Sequence, residues 1–332
     1  MKRVAVIFPG QGSQMLGMGV DVAAHSQRAG DLFTRASRVL GYDLLALARS
    51  GPEEKLRETQ FSQPAIFATN VALYYAVGDM LQPVASAGHS FGEFCSLTVS
   101  NALTFEGALR IVDERGKAMQ YAAEQAPGGM SAVLGMHDDQ IREIVDRVKT
   151  QTGARLQLAN FNSPSQIVIS GDLAAVQSAG DALLEAGAKR VVPLNVSGAW
   201  HSELMRPAVE HFAAAVNAGH FRVPQFAVVS NVDAQPYCDV ETIKRNLVAS
   251  ITEEVRWHDC AQRLLSYNLD LVVEFGASPV LGPLMKRLAS GLPVIHVADF
   301  AAVEKLREIL GQPQTMPESA AIAHAQSADG RS

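Results

Sequence analysis

Gly88-His89-Ser90-Phe91-Gly92 stands between an apolar run at residues 84–87 and a stretch of helical character. A Gly-x-Ser-x-Gly pentapeptide in that setting predicts a nucleophile elbow, a sharp strand-to-helix turn that lifts a serine hydroxyl into a cleft. The turn presses backbone against backbone, and glycines on either side of Ser90 remove the β-carbons that would collide. The pentapeptide alone is common. Its strand and helix neighbours are what give it weight, and they point to an α/β fold.

Outward from the elbow, the next legible stretch begins at residue 129. Residues 129–136 read as a strand and 138–149 as a helix with Ile141, Ile144, Val145 and Val148 on one face. Residues 156–160 and 166–170 read as strands around an Asn162-Ser163-Pro164 turn. A helix over 173–185 and a strand over 190–196 complete the order β-α-β-β-α-β, which predicts a ferredoxin-like subdomain. It interrupts a larger α/β unit whose strands resume near 226–229 and 271–275. The expected division is therefore 1–126 and 198–311 for the large domain, 127–197 for the insert, and a disordered Gln-, Pro-, Ala- and Ser-rich tail at 312–332.

A chain of 332 residues, 48% hydrophobic and 19% charged, has the make-up of a globular enzyme with a large core. Its net charge of −6 argues against a nucleic-acid partner. The run Val4 to Phe8 is too short for a leader or a membrane span and ends in Pro9-Gly10, so it reads as a buried first strand. The expected location is the cytoplasm. Cys95, Cys238 and Cys260 have no metal-ligand spacing and read as buried small hydrophobes. In Gly10-Gln11-Gly12 the third glycine of a dinucleotide fingerprint would fall on Met15, so that motif fails.

A serine hydroxyl needs a base within hydrogen-bond reach. Of nine histidines, His89 adjoins Ser90 and is expected to point away from the cleft, while His25, His137, His211 and His220 read as surface residues. His201 stands out because it follows the small-residue turn Ser197-Gly198-Ala199-Trp200, between a strand and a helix beginning near Glu203. No acid that would orient it is evident. On the helix from Thr104, Ala108, Val112, Arg115 and Met119 share one stripe, so Arg115 interrupts an apolar face. A buried guanidinium needs an anion, from the protein or from a substrate carboxylate.

These motifs together resemble the malonyl-CoA:acyl-carrier-protein transacylases. Phe8-Pro9-Gly10-Gln11-Gly12-Ser13-Gln14, Gly88-His89-Ser90-Phe91-Gly92-Glu93, Arg115-Gly116-Lys117, Asn160-Phe161-Asn162-Ser163-Pro164 and His201-Ser202 occur in that family's order, over residues 4 to about 310. The resemblance implies an α/β-hydrolase-like large domain. It implies Ser90 as nucleophile, His201 as base and later acid, Gln11 and the Phe91 N–H as oxyanion hole, and Arg115 as holder of the malonate carboxylate. Trp200, Ser250, Gln63 and Asn162 are implied as acyl-pocket or histidine-supporting residues. The histidine is expected to lean on a backbone carbonyl, which accounts for the missing acid.

The implied reaction is ping-pong transfer from malonyl-CoA to the phosphopantetheine thiol of an acyl carrier protein, for fatty-acid or polyketide synthesis. No metal and no bound cofactor is expected, and the default state is a monomer. Lys117, Lys189, Arg190, Lys286 and Arg287 are candidates for docking an acidic carrier. Three departures from the family pattern stand out: Ser250 where glutamine is usual, with Glu254 for proline; Trp200 for a smaller residue; and the loop Gly276-Ala277-Ser278-Pro279-Val280-Leu281. The rival readings are an acyl-carrier-protein hydrolase, a malonyl transferase serving a malonate decarboxylase, and a catalytically silent carrier-binding subunit. Arg115 weighs against hydrolysis of neutral acyl chains, which have no use for a buried cation.

Overall fold

Strands β1 (Val4–Phe8) and β2 (Pro83–Gly88) open one sheet, and β3 (Gly128–Leu134), β4 (Leu156–Ser163), β5 (Gln166–Asp172) and β6 (Arg190–Pro193) form another. The chain then returns to the first sheet as β7 (Ala227–Val229), β8 (Leu271–Phe275) and β9 (Val294–Val297). This computed structural model describes residues 2–311; the tail expected to be disordered, 312–332, lies outside them. The first sheet is parallel in the order β7-β2-β1-β8-β9, and the second is antiparallel in the order β4-β5-β3-β6.

All five residues of β1 are buried, because helices cover both faces of the parallel sheet. Alternation sends Val4, Val6 and Phe8 to one core and Ala5 and Ile7 to the other. The antiparallel sheet has its own core, where Ile141, Ile144, Val145 and Val148 meet Val176, Ala179 and Leu183 from the second helix. No helix among the described residues is long and apolar enough to cross a membrane.

Several boundaries differ from expectation. β4 runs on to Ser163, so the turn falls later than Asn162, and Asn160 and Asn162 share a face. β6 stops at Pro193 rather than at 196. Beyond it Val196 N–H bonds back to Leu194 C=O, folding the chain away from the sheet. The expected helix near Glu203 starts as a single tight turn, Glu203–Met205, before the helix Arg206–Ala218. Cys95 and Cys260 are buried as expected, but Cys238 is exposed.

Parallel pairing brings Phe8 beside Gly88, so the C-terminal ends of β1 and β2 lie together. That edge is where ligands bind in parallel α/β sheets. A β-carbon on Gly88 would sit 1.9 Å from the Gly92 carbonyl carbon and 2.0 Å from its oxygen. Both obstacles are backbone and cannot swing aside. Gly88→Ala is therefore expected to destabilise the fold by more than about 4 kcal/mol, read as a lowered urea midpoint or failure to accumulate as folded protein.

Candidate active site

Ser90 stands at the tip of the turn between β2 and the helix Gly92–Val99, with φ 54°. That left-handed conformation is strained for a residue with a β-carbon and persists only where its surroundings over-determine it. Three bonds do so. His89 N–H donates to the Phe8 carbonyl at 2.9 Å, Gly92 N–H to the His89 carbonyl at 3.0 Å, and Ser90 N–H to Asn231 Oδ1 at 2.7 Å.

Asn231 follows β7. Its Nδ2 donates to the Gly88 carbonyl at 2.7 Å, and its N–H donates to Glu93 Oε2 at 3.1 Å. Tyr237 gives its hydroxyl proton to the other Glu93 oxygen. Burial raises the Glu93 carboxyl to about 7, against the pull of these bonds and of the Arg115 charge. A polar girdle thus holds the elbow from beneath.

His201 also lies in the left-handed region, with φ 57°. Its Nε2 is 2.8 Å from Ser90 Oγ, while Nδ1 meets the carbonyl oxygens of Ser250 at 2.8 Å and Glu253 at 3.2 Å. Carbonyls only accept, so Nδ1 carries the proton and Nε2 presents its lone pair to the serine. Burial, with the nearby Arg115 charge and then His89 adding to it, lowers the imidazole to about 3. The ring is neutral at physiological pH.

Arg115 is 1% exposed on the helix Phe105–Gln125, in the stripe with Ala108, Val112 and Met119. Its Nη1 donates to Gln63 Oε1 at 3.0 Å and its Nη2 to Ser90 Oγ at 3.2 Å. Nε has no hydrogen-bond partner, and no carboxylate among the described residues lies within ion-pair distance. Burial lowers this guanidinium to about 10, with Glu93 opposing, so it stays a cation at neutral pH. The anion that a buried arginine requires is not supplied by the described chain.

These groups border a cleft of about 430 Å³ between the two sheets, also lined by Gln11, Asn162, Trp200 and Arg287. Gln11 Nε2 donates to Thr59 Oγ1 at 3.0 Å, which fixes its carboxamide beside the elbow. The Phe91 N–H, at the start of the elbow helix, has no acceptor among the described residues. Ser250 contributes its carbonyl to His201, whereas its hydroxyl donates to Leu247. Gln63 is buried behind Arg115 and does not line the cleft. Of the five basic docking candidates, Arg287 lines the cleft, with Lys286 beside it on the helix Gly282–Leu288; Lys117 is engaged by Asp113 and Glu114.

His89 corrects the sequence reading. It faces the cleft rather than away from it, with Nε2 3.0 Å from Asn162 Oδ1. Sequence reasoning also passed over Asn231, Glu93 as a buried acid, and Glu274. The Glu274 carboxylate accepts the N–H groups of Val280, Leu281 and Gly282 and so shapes the rim of the cleft. A usable signal existed for Glu274, a lone charge inside the apolar strand Leu271–Phe275. Asn231 had only its place just past a strand end.

A serine hydroxyl against a neutral imidazole nitrogen, with a buried unneutralised cation alongside, is an arrangement that can form an acyl-enzyme. Comparison with known proteins places the chain among acyl transferases. A family profile described as "Acyl transferase domain" matches residues 5–325. The "Malonyl CoA-acyl carrier protein transacylase" of Haemophilus influenzae is 37% identical over 313 residues, covering 93% of this chain and 100% of that protein. The protein of the same name from Bacillus subtilis is 36% identical over 305 residues, covering 92% and 96%. Among solved structures, a malonyl-transacylase in complex with its type II PKS acyl-carrier protein superposes with a TM-score of 0.88 at 38% identity, over 92% of this chain and 99% of that one. The Coxiella burnetii malonyl CoA-acyl carrier protein transacylase gives 0.88 at 32% identity, over 94% and 98%. The chain belongs to the acyl transferase domain family.

Proposed function

We propose that the chain transfers a malonyl group from malonyl-CoA to the phosphopantetheine thiol of an acyl carrier protein, through an acyl-Ser90 intermediate. The observation that carries this reading is Arg115, a buried cation without a protein carboxylate, bonded to the same Ser90 oxygen that His201 faces. A malonyl thioester brings the missing anion to the side of the nucleophile.

In the first half-reaction Ser90 Oγ attacks the thioester carbonyl while His201 Nε2 takes its proton. The Phe91 N–H and Gln11 stabilise the oxyanion, and the CoA thiolate leaves with the proton from His201. In the second half the carrier thiol gives its proton to His201 and its sulfur attacks the acyl-serine carbonyl; the acyl carbon–Oγ bond breaks and Ser90 Oγ leaves with the proton returned by His201. The group handled needs no metal and no bound cofactor. Arg287, which lines the cleft, suits an acidic carrier, with Lys286 next to it on the same helix. The likeness to a transacylase solved with its carrier protein supports that partner class.

The test is to load the enzyme from malonyl-CoA, remove free CoA ester, and add phosphopantetheinylated carrier protein. Malonyl should move to the carrier faster than to water. Hydrolysis outrunning transfer would favour the hydrolase reading instead.

Two further results are expected. Because His201 stays neutral down to about pH 3, kcat/KM for acylation should show no loss from protonation of the imidazole between pH 8 and pH 5, the elbow group that titrates in that window being the Glu93 carboxyl at about 7. A histidine at its ordinary pKa would lose roughly 30-fold at pH 5. Stability runs the other way. The unfolded chain binds a proton at His201 below about pH 6.5 that the folded chain refuses, so the His201 contribution to stability falls as pH drops from there toward 3, while Glu93, raised to about 7, contributes in the opposite sense.

Trp200 is 5% exposed and lines the cleft, its ring seated against Gly198. Its bulk restricts substituents on the malonyl α-carbon. Trp200→Ser should lower the malonyl-over-methylmalonyl preference by about tenfold or more, measured as the ratio of kcat/KM values.

The antiparallel strand order and separate core support reading 127–197 as a ferredoxin-like insert in an α/β-hydrolase-like domain, 1–126 and 198–311.

A further inference from the structure

His201 is held between two irregular segments, its own loop and the stretch that offers the Ser250 and Glu253 carbonyls to Nδ1. Neither belongs to a strand or an α-helix that would fix their separation. One side chain reaches both. Gln157, half-buried on β4, donates from Nε2 to the His201 carbonyl at 3.1 Å and to the Thr252 carbonyl at 3.1 Å. Its Oε1 accepts from the Glu203 N–H, also at 3.1 Å.

The orientation of this carboxamide is determined by its partners. Two acceptors on one side and a donor on the other match NH₂ and C=O in one sense only; flipped, the oxygen would face two carbonyl oxygens. The same strand anchors the second segment through its backbone. Phe161 N–H donates to the Val255 carbonyl at 2.9 Å, and Val255 N–H to the Ala159 carbonyl at 2.8 Å. Residues 252–255 are thus laid along the outer edge of the antiparallel sheet, and Gln157 ties the histidine loop to that edge. The left-handed backbone at His201, φ 57°, needs such restraint to persist.

We propose that Gln157 is a positioning residue for His201: its carboxamide sets the distance between the histidine and its Nδ1 acceptors, and so holds Nε2 on Ser90 Oγ. This rests on the acyl-Ser90 reading above. Gln157 touches neither Ser90 nor Arg115 in the bonds it makes, so it acts through His201.

Gln157→Met keeps the length and removes all three bonds; Gln157→Glu keeps shape and acceptor but loses both donors. For each, rapid-quench acylation by malonyl-CoA gives a burst amplitude, which counts working sites, and a rate constant per site. In parallel, NMR of ¹⁵N-histidine protein follows the His201 Nδ1–H resonance. The expected result is a 10- to 100-fold fall in the rate constant per site for both variants. The half-saturating malonyl-CoA concentration should stay within about threefold, and the Nδ1–H signal should broaden or vanish. A wild-type rate constant per site, with full or reduced amplitude, would overturn the proposal, since a merely structural residue changes the number of working sites and not their speed. If wild-type protein itself forms no acyl-enzyme, the functional reading fails. The NMR signal then decides alone: its loss in the variants supports the positioning role, and its persistence sinks it.

Discussion

Ser90→Ala is expected to abolish the malonyl adduct seen by intact-protein mass spectrometry and to lower malonyl transfer by at least about 10⁴-fold, the scale on which acyl-transfer enzymes lose rate when the nucleophile is removed. The substitution isolates chemistry from folding. Alanine carries the same β-carbon as serine, so the strain at φ 54° is unchanged, and the backbone bonds to Phe8, Asn231 and Gly92 do not involve Oγ. The thermal midpoint should move little. No neighbouring group can stand in for the lost hydroxyl. Cys95 lies on the elbow helix, but it is fully buried and burial pushes its thiol well above the ordinary range. His89 faces the cleft as an imidazole whose burial lowers its basicity, and its Nε2 is bonded to Asn162. An adduct persisting in Ser90→Ala would move the acyl group to another residue and overturn the assignment.

The elbow was legible because its requirements are local. Glycines at 88 and 92, an apolar run before them and a helix after them all lie within residues 84–99. The helix Leu173–Glu185 and the strand Leu271–Phe275 were also read to their ends, since apolar periodicity and turn residues bound them in sequence. Arg115 was legible as a conflict, a permanent charge in an apolar stripe. What escaped was whatever depends on tertiary approach. The support for Nδ1 of His201 comes from backbone carbonyls some 50 residues away, and a carbonyl has no sequence signature. Asn231 meets Ser90 across 141 positions. The direction of His89 was misread because strand alternation does not survive a turn in which the next residue is left-handed.

Arg115→Ala is the substitution that separates malonyl transfer from acyl transfer in general. Loading from malonyl-CoA should fall by about 10²- to 10⁴-fold, because the variant must bury the malonate carboxylate without a charged partner. The loss has two parts. One is binding, the two-point grip a guanidinium gives a carboxylate. The other acts on His201. In the free enzyme the Arg115 charge helps hold the imidazole unprotonated. Under the proposed function, a bound malonate neutralises that charge and lets Nε2 take the serine proton more readily, so the right substrate strengthens its own base. Acetyl-CoA supplies no such anion and leaves the cation buried and unpaired, which disfavours it in the wild type. Removing the arginine removes that penalty. Acetyl loading by Arg115→Ala should therefore equal or exceed the wild-type rate while malonyl loading collapses, inverting the preference. Parallel single-turnover loading from the two CoA esters measures this directly. Equal losses for both esters would make Arg115 a structural cation, and the malonyl specificity would have to come from elsewhere in the cleft.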